Sequence, residues 1–512
     1  MPPRAPRPSS PVPTGTALHE AIARSFSVHE PPRALSPLRA LGRRQLSGVE
    51  VMAQSIATTA PAASMIGLPL AMLGTSVLGG VLAIVASVAV MALIALCVSQ
   101  FTRRLAAAGG LYTFVTKGAG RRRAMTVGVA MAVKYCGSAA LTLYQGGQEV
   151  IRLLGALGID ARGPAGSAAV HCLVTAVILL VVVRGVRRAM LAILVVELCS
   201  LALIVGLLLS GDSGARLPQP GSPASSHATL LLVLSAMFAL AGFESAAFLG
   251  PEAKRPLVTV TRTVLWTPVI CGALFLLAAW AVSSGRAGML LNAYTGGADG
   301  GVDPGLGTAL HLGVMCSWLA SAMASFNAAS HLFYTMAVER ILPSPFRRVH
   351  ATHRTPHGAL VAVAVLVCAV CLALNAARHS AAAPPVALRL TVQGALVIAY
   401  VLVTLACLRF LARIGESTPL VKVAATLASG AGTALLGSLL FVSVTGHDKV
   451  VPAALGAVAV SGVVVVAVLR RLRPGALERV GVFDSAESDD VLPGSASYGR
   501  NARGLDSLVR RP

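Results

Sequence analysis

Apolar runs of about 20 residues recur from residue 47 to residue 470 of this 512-residue chain, and they constrain its fold more than any other feature. Each run is long enough, at about 1.5 Å per residue, to cross a hydrocarbon layer of about 30 Å. The runs must be helical, because an open strand leaves its backbone N–H and C=O groups unpaired in lipid. Composition agrees. Apolar residues make up 55% and charged residues 12%, against about 25% charged in a soluble domain. These figures exclude a water-soluble enzyme, a DNA-binding protein and a secreted disulfide scaffold. The formal charge of +22 would suggest nucleic acid in a soluble chain. Here the basic residues lie in loops and tails between apolar spans, which is how charge sets membrane orientation.

Twelve spans are predicted: 47–72, 76–100, 124–154, 165–183, 187–210, 228–250, 262–284, 307–341, 358–376, 388–411, 419–443 and 449–470. Lys and Arg in the alternating connections divide 19 to 7. The richer set, together with two tails holding 7 and 8 basic residues, places both termini in the cytoplasm of a multi-pass plasma-membrane protein. Residues 1–46 contain nine prolines and no apolar run. They read as a disordered tail with at most a short helix near Thr16–Phe26, and lack the h-region of a signal peptide. Residues 471–512 read as a second disordered tail with an acidic patch at Asp484–Asp490. All nine cysteines fall inside spans, so no disulfide framework is expected. Cys368-Ala-Val-Cys371 has CxxC spacing without a strand–helix unit around it, and reads as two small buried helix residues.

Two spans carry interruptions. Ala60-Pro61-Ala62-Ala63-Ser64 breaks span 1, because Pro61 removes a helix hydrogen bond and clashes with the preceding turn. Ala239–Ser245 breaks span 6, where Gly242 permits unwinding. The breaks lie five spans apart and at similar depth. That is the sequence sign of a transporter built from inverted repeats, with its substrate site at the breaks. Half-helix N-termini suit a substrate carboxylate, and unwound carbonyls suit an ammonium. Thr59, Ala60, Ala62, Ala63, Ser64, Ala241 and Gly242 are therefore the candidate binding residues, mostly through main chain.

The same stretches resemble the amino acid–polyamine–organocation (APC) superfamily, in its bacterial amino acid permease branch. Thr58-Thr59-Ala60-Pro61-Ala62-Ala63 is similar to the first-helix break of that branch. Arg103–Tyr112 resembles the basic loop and Gly-Gly-x-Tyr start of the third helix. Phe238–Ser245, continuing to Glu252-Ala-Lys-Arg-Pro256, resembles the sixth-helix signature, and Asn327–Tyr334 the eighth-helix pattern. The resemblance implies an all-α polytopic fold with 5+5 inverted repeats (about 47–210 and 228–411), broken helices 1 and 6, and two extra helices (about 419–470). It also implies alternating access for amino acids or related amines, with Phe238 as an aromatic lid and Tyr135 facing the substrate. The chain departs from the family pattern on the cytoplasmic side. His331 stands where Arg is usual, Pro251 replaces the first acid of a Glu-Glu pair, Val338-Glu339-Arg340 replaces Arg-Asp-Gly, and no proline stands near Thr261.

Glu244 lies in an otherwise apolar span beside Gly242. A mid-membrane carboxylate costs about 2.5–3.5 kcal/mol on insertion scales, so it is neutral for part of a cycle or paired with a cation. Both suit a proton or amine site; a structural carboxyl bonded to the broken backbone is the plainer alternative. Lys134 in span 3 reads either as a snorkelling lysine or as an internal cation that titrates or replaces sodium. Glu197 and Glu50 read as helix-packing or interface residues. His350, His353 and His357 sit in a basic loop without Cys or acid, and read as solvated. Gly296–Gly305, with Asp299 and Asp303, lacks calcium-loop spacing. There is no phosphate-binding P-loop for ATP, and an intramembrane enzyme would need an acid pair or metal-ligand motif that the spans lack. The expected function is a proton-coupled or exchanging secondary transporter, with sodium less favoured, no cofactor or metal and no nucleic-acid partner; a homodimer stays open. The alternative is a non-transporting sensor or membrane partner that keeps the permease fold.

Overall fold

The structure is a computed structural model that describes residue 41, residues 45–211, 226–296, 304–378 and 384–481, and the segments 497–500 and 506–509. The short helix expected near Thr16–Phe26, the acidic patch at Asp484–Asp490 and the acidic residues of the 296–305 loop lie outside the described residues. Twelve helical segments follow the predicted spans closely. Eleven meet the length and hydropathy needed to cross a membrane, from Gly48–Met72 to Val450–Leu472. The twelfth, span 5, is the 25-residue helix Val186–Ser210.

Span 1 is two half-helices, 1a (Gly48–Thr59) and 1b (Pro61–Met72). The hinge is a single residue, Ala60, held in the left-handed region at φ 45° and ψ 59°. Pro61 has no N–H to continue the ladder, and it starts 1b at the position where a helix tolerates proline best. The start of 1a is fixed by Glu50, whose carboxylate accepts the Ser47 N–H at 2.6 Å. Span 6 is an α-helix to Leu240, a turn at Ala241–Gly242, and then a 3-10 helix from Phe243 to Glu252. Ten residues of 3-10 helix are uncommon and mark a segment held by its surroundings. Gly242 has φ −159°, so the break does not depend on left-handed backbone. It depends on space: a Cβ there would lie 2.7 Å from Ser55 O and from Thr59 Cγ2.

Span 3 is the longest helix, Arg121–Ala156, preceded by the short helix Leu111–Ala119. It packs against spans 8 and 10 and reaches out to span 12. Span 8 (Pro304–Val338) touches both half-helices of span 1 as well as span 5. The two breaks therefore meet in the middle of a cage made by spans 3, 5, 8 and 10.

The second tail differs from expectation over its first residues. A helix, Pro474–Arg479, follows span 12, and Ala476 and Val480 are buried. The Gly481 N–H donates to Glu339 at 2.6 Å. Pro474 and Gly475 signal a turn in sequence, but that turn folds the chain back onto the bundle. Further on, Ser497–Arg500 pairs antiparallel with Asp506–Val509.

Span 12 is joined to span 3 through Gly462, where an added Cβ would overlap Thr126 Oγ1 and the Arg122 carbonyl. Gly462→Leu should destabilise the bundle by about 1–3 kcal/mol through overpacking, read as a lower melting temperature in detergent. Gly456→Leu, with nothing within 4 Å of its added Cβ, should leave it unchanged.

Candidate functional site

The crossing of the two breaks is stitched by hydroxyls. Ser55 Oγ donates to the Gly242 carbonyl at 3.1 Å, and Ser245 Oγ donates to the same oxygen at 2.6 Å. Thr58 Oγ1 and Ser245 Oγ lie 3.1 Å apart. The Gly242 carbonyl also accepts the Ser245 N–H at 3.0 Å, so three donors converge on the backbone oxygen at the break. They hold the first residues of the 3-10 segment against 1a.

Glu244 is the first acidic residue of that segment and is fully buried. Lys134 Nζ donates to its Oε1 at 3.0 Å, Tyr135 Oη to the same oxygen at 3.1 Å, and Tyr400 Oη to Oε2 at 3.0 Å. Lys134, also at 0% exposure, reaches the Ala241 carbonyl at 3.4 Å and lies 3.7 Å from the centre of the Tyr135 ring. The ammonium therefore has a carboxylate, a carbonyl and an aromatic face, while the carboxylate has three donors. A charge pair taken out of water survives only with this kind of full partnering. The snorkelling reading of Lys134 is thereby replaced: the side chain points into the bundle. Phe243 stacks on Tyr400 with centroids 5.9 Å apart and covers one side of the pair.

The other predicted residues fall around this centre. Thr59 Oγ1 donates to Ile56 O at 2.6 Å and lies 3.3 Å from Cys271 Sγ of span 7. Ser64 N–H bonds the Ala60 carbonyl at 2.9 Å, and Ser64 Oγ donates to Thr59 O at 3.2 Å. Ala62 N–H donates to Glu197 Oε1 at 2.9 Å, and Ala63 N–H to Ser317 Oγ at 3.3 Å. Ala241 N–H donates to Phe238 O at 3.1 Å; the Phe238 ring is half-buried at the edge of the core, one turn before the break. The amides and carbonyls expected to face a ligand are thus held by the protein's own side chains and backbone.

Sequence reasoning did not find Tyr400 or Ser317, and it ranked Glu197 as a packing residue. Tyr400 offered one signal, a phenol in an otherwise apolar stretch of span 10. A buried phenol needs a partner, but which partner depends on packing.

Two histidine–carboxylate pairs on span 8 lie toward its two ends. At the end carrying the basic loops, His331 Nε2 lies 2.7 Å from Glu252 Oε1 and Nδ1 lies 2.8 Å from the Asn327 carbonyl. The ring thus bridges Glu252, at the end of the 3-10 segment, and the Asn327 carbonyl on its own helix. The chain before span 1 seals the same end: Gln45 and Leu46 N–H donate to Glu252 O, and Lys254 N–H donates to Leu46 O. Tyr112 Oη and Gly481 N–H both bond Glu339 nearby. At the opposite end, Glu149 accepts from Tyr294 Oη and meets His311 Nδ1, both at 2.9 Å, with Arg152 at 3.5 Å.

Among the described residues, eleven helices long and apolar enough to cross a membrane and the further helix of span 5, with two spans broken where they meet and a buried ion pair at the crossing, have the architecture of a membrane permease. The chain belongs to the amino acid permease family, whose model matches residues 53–470. Two solved structures of a manganese transporter from Eremococcus coleocola, both mutant forms, are similar at 13% and 14% identity with TM-scores of 0.48 and 0.49. Each alignment covers 85% of this chain and 94% of the transporter. No curated protein matches the chain.

Removing one partner of the buried pair leaves a charge stranded. Lys134→Ala should cost about 3–5 kcal/mol, seen as a large fall in melting temperature in detergent. Lys134→Met combined with Glu244→Gln should recover most of that loss. Equal losses for the single and double variants would show that shape, not charge, matters at these positions.

Proposed function

We propose that this permease is a secondary active transporter that moves amino acids or small amines across the plasma membrane by alternating access. Movement is coupled to protons, or proceeds as exchange. The observation that carries this reading is the fully partnered Lys134–Glu244 pair at the crossing of the two breaks. A ligand ammonium would compete with Lys134 for the same two acceptors, Glu244 Oε1 and the Ala241 carbonyl. Ligand and proton can then exchange for one another at a single carboxylate. Glu244 is the group proposed to change protonation, since a neutral Glu244 releases Lys134 and a charged one recaptures it. A proton moving inward gains about 2.3 kcal/mol per 100 mV, enough for modest accumulation.

Alternating access also needs two closures that open in turn. His331–Glu252 and His311–Glu149 are suited to that, because each is a few hydrogen bonds between span 8 and another element. His331–Glu252 also answers the departures that favoured a non-transporting sensor. His331 still pairs with Glu252 between spans 8 and 6, which supports the transport reading. The basic loops and both termini are assigned to the cytoplasm by their Lys and Arg excess.

The test is flux in proteoliposomes, with the amino acid or amine that most raises the melting temperature of the purified protein. The wild type should accumulate it under an inward pH gradient. Glu244→Gln keeps shape and removes titration, so it should lose gradient-driven accumulation at least about tenfold while retaining exchange of labelled for unlabelled substrate. Flux that follows a sodium gradient and ignores pH would overturn the coupling; the absence of flux under any gradient, with no exchange, would overturn transport.

A further inference from the structure

Glu197 is not used by the function proposed above, yet it is built into the site. It comes from span 5 and is 3% exposed. Its Oε1 accepts the Ala62 N–H and the Ser317 hydroxyl, both at 2.9 Å. The same Ser317 oxygen accepts the Ala63 N–H at 3.3 Å. Pro61 has no N–H, and the Ser64 N–H is bonded to the Ala60 carbonyl. Every donor in the first turn of half-helix 1b is therefore occupied, two of them through one carboxylate oxygen and its serine.

A helix N-terminus in a break favours an anion, because its free N–H groups and its dipole both attract negative charge. In this chain the anion is supplied by the protein. Glu197 stands where a ligand carboxylate would otherwise sit, and its other oxygen, Oε2, is buried with no hydrogen-bond partner among the described residues. An unpaired buried acceptor is costly. It is an open position for a donor and a repulsive neighbour for a second carboxylate. A ligand N–H donor completes Oε2, whereas a zwitterion brings a carboxylate to a place already taken by Glu197.

We propose that Glu197 is a specificity-determining residue that makes the site select organic amines lacking a carboxylate over zwitterionic amino acids. While Lys134 keeps its hold on Glu244, the ammonium of the ligand binds Glu197 Oε2, and it reaches the Glu244 acceptors only once Lys134 is released. This rests on the transporter reading for its physiological meaning, but the binding preference can be measured without flux.

The test uses matched pairs that differ by one carboxylate: phenethylamine with phenylalanine, isobutylamine with valine, and cadaverine with lysine. Binding to purified protein is read by thermal shift and titration calorimetry, and counterflow is read in proteoliposomes. The wild type should bind the amine of at least one pair about tenfold or more tightly than the amino acid, as expected when one ligand fills an unpaired polar position and the other is repelled. Glu197→Gln, nearly isosteric and able to keep the Ala62 bond, should lose that preference. Glu197→Ala should go further, freeing the Ala62 and Ala63 amides and gaining affinity for the amino acid. A wild type that prefers the amino acid in every pair, or binds none of the probes, overturns the proposal. So does an amine-to-amino-acid ratio that stays within about twofold in Glu197→Gln, which is the deciding variant if Glu197→Ala does not fold. Amine binding with the expected ratio but no counterflow supports the assignment of Glu197 and instead contradicts transport.

Discussion

The rest of this structure depends on one constraint: a lysine and a glutamate sit together where no water reaches them. Lys134 and Glu244 come from helices 110 residues apart. Each would be expelled from a hydrocarbon interior alone. Together they are tolerable only because two phenols, one carbonyl and one aromatic face complete their coordination. That requirement fixes the rotation of span 3, which must point Lys134 inward, and of span 10, which must bring Tyr400 to the second carboxylate oxygen. It also fixes the backbone of span 6, since Ala241 can offer its carbonyl only if the helix stops there.

The breaks follow from the same logic. A continuous helix would hide its amides and carbonyls in its own ladder. Span 1 opens at Ala60, where a left-handed alanine costs about 1–2 kcal/mol relative to right-handed backbone. Span 6 opens at a glycine because Ser55 and Thr59 come too close for any side chain. The exposed groups are then claimed by Glu197, Ser317, Ser55, Ser245 and Lys134. The polar groups of both breaks are thus partnered by the protein itself, through the Glu197 carboxyl group at half-helix 1b and Lys134 at the span 6 break. In the transport reading proposed above, bringing in a ligand is an exchange of these partners.

Much of the scaffold was legible in the sequence because its rules are local. Hydropathy gave span edges to within a few residues except at the start of span 7, where Pro256 opens the helix six residues early. Pro61 marked one break and Gly242 the other. The site was only half legible. Glu244 and Lys134 stood out because charge is rare in a span, but helix spacing relates residues on one helix only. It could not reveal Lys134 with Glu244. Tyr400, 156 residues from Glu244, carried no local sign of its partner. Glu197 read as a packing residue because its role depends on which way half-helix 1b points. The second tail read as disordered from Pro474 and Gly475, and its first residues are ordered by Ala476, Val480 and the Gly481–Glu339 bond.

Alternating access, as proposed above, requires the crossing of the two breaks to be reached from both faces of the membrane in turn. Cys271 is a natural reporter, since it is fully buried and its sulfur lies 3.3 Å from Thr59 Oγ1 at the hinge of span 1. The direct measurement is the modification of Cys271, kept as the sole cysteine in proteoliposomes of fixed orientation, by an impermeant quaternary-ammonium methanethiosulfonate added to one face at a time. The account predicts reaction from each face, on the slow timescale of helix rearrangement rather than that of an exposed thiol. Reaction from one face only, or from neither, would contradict it.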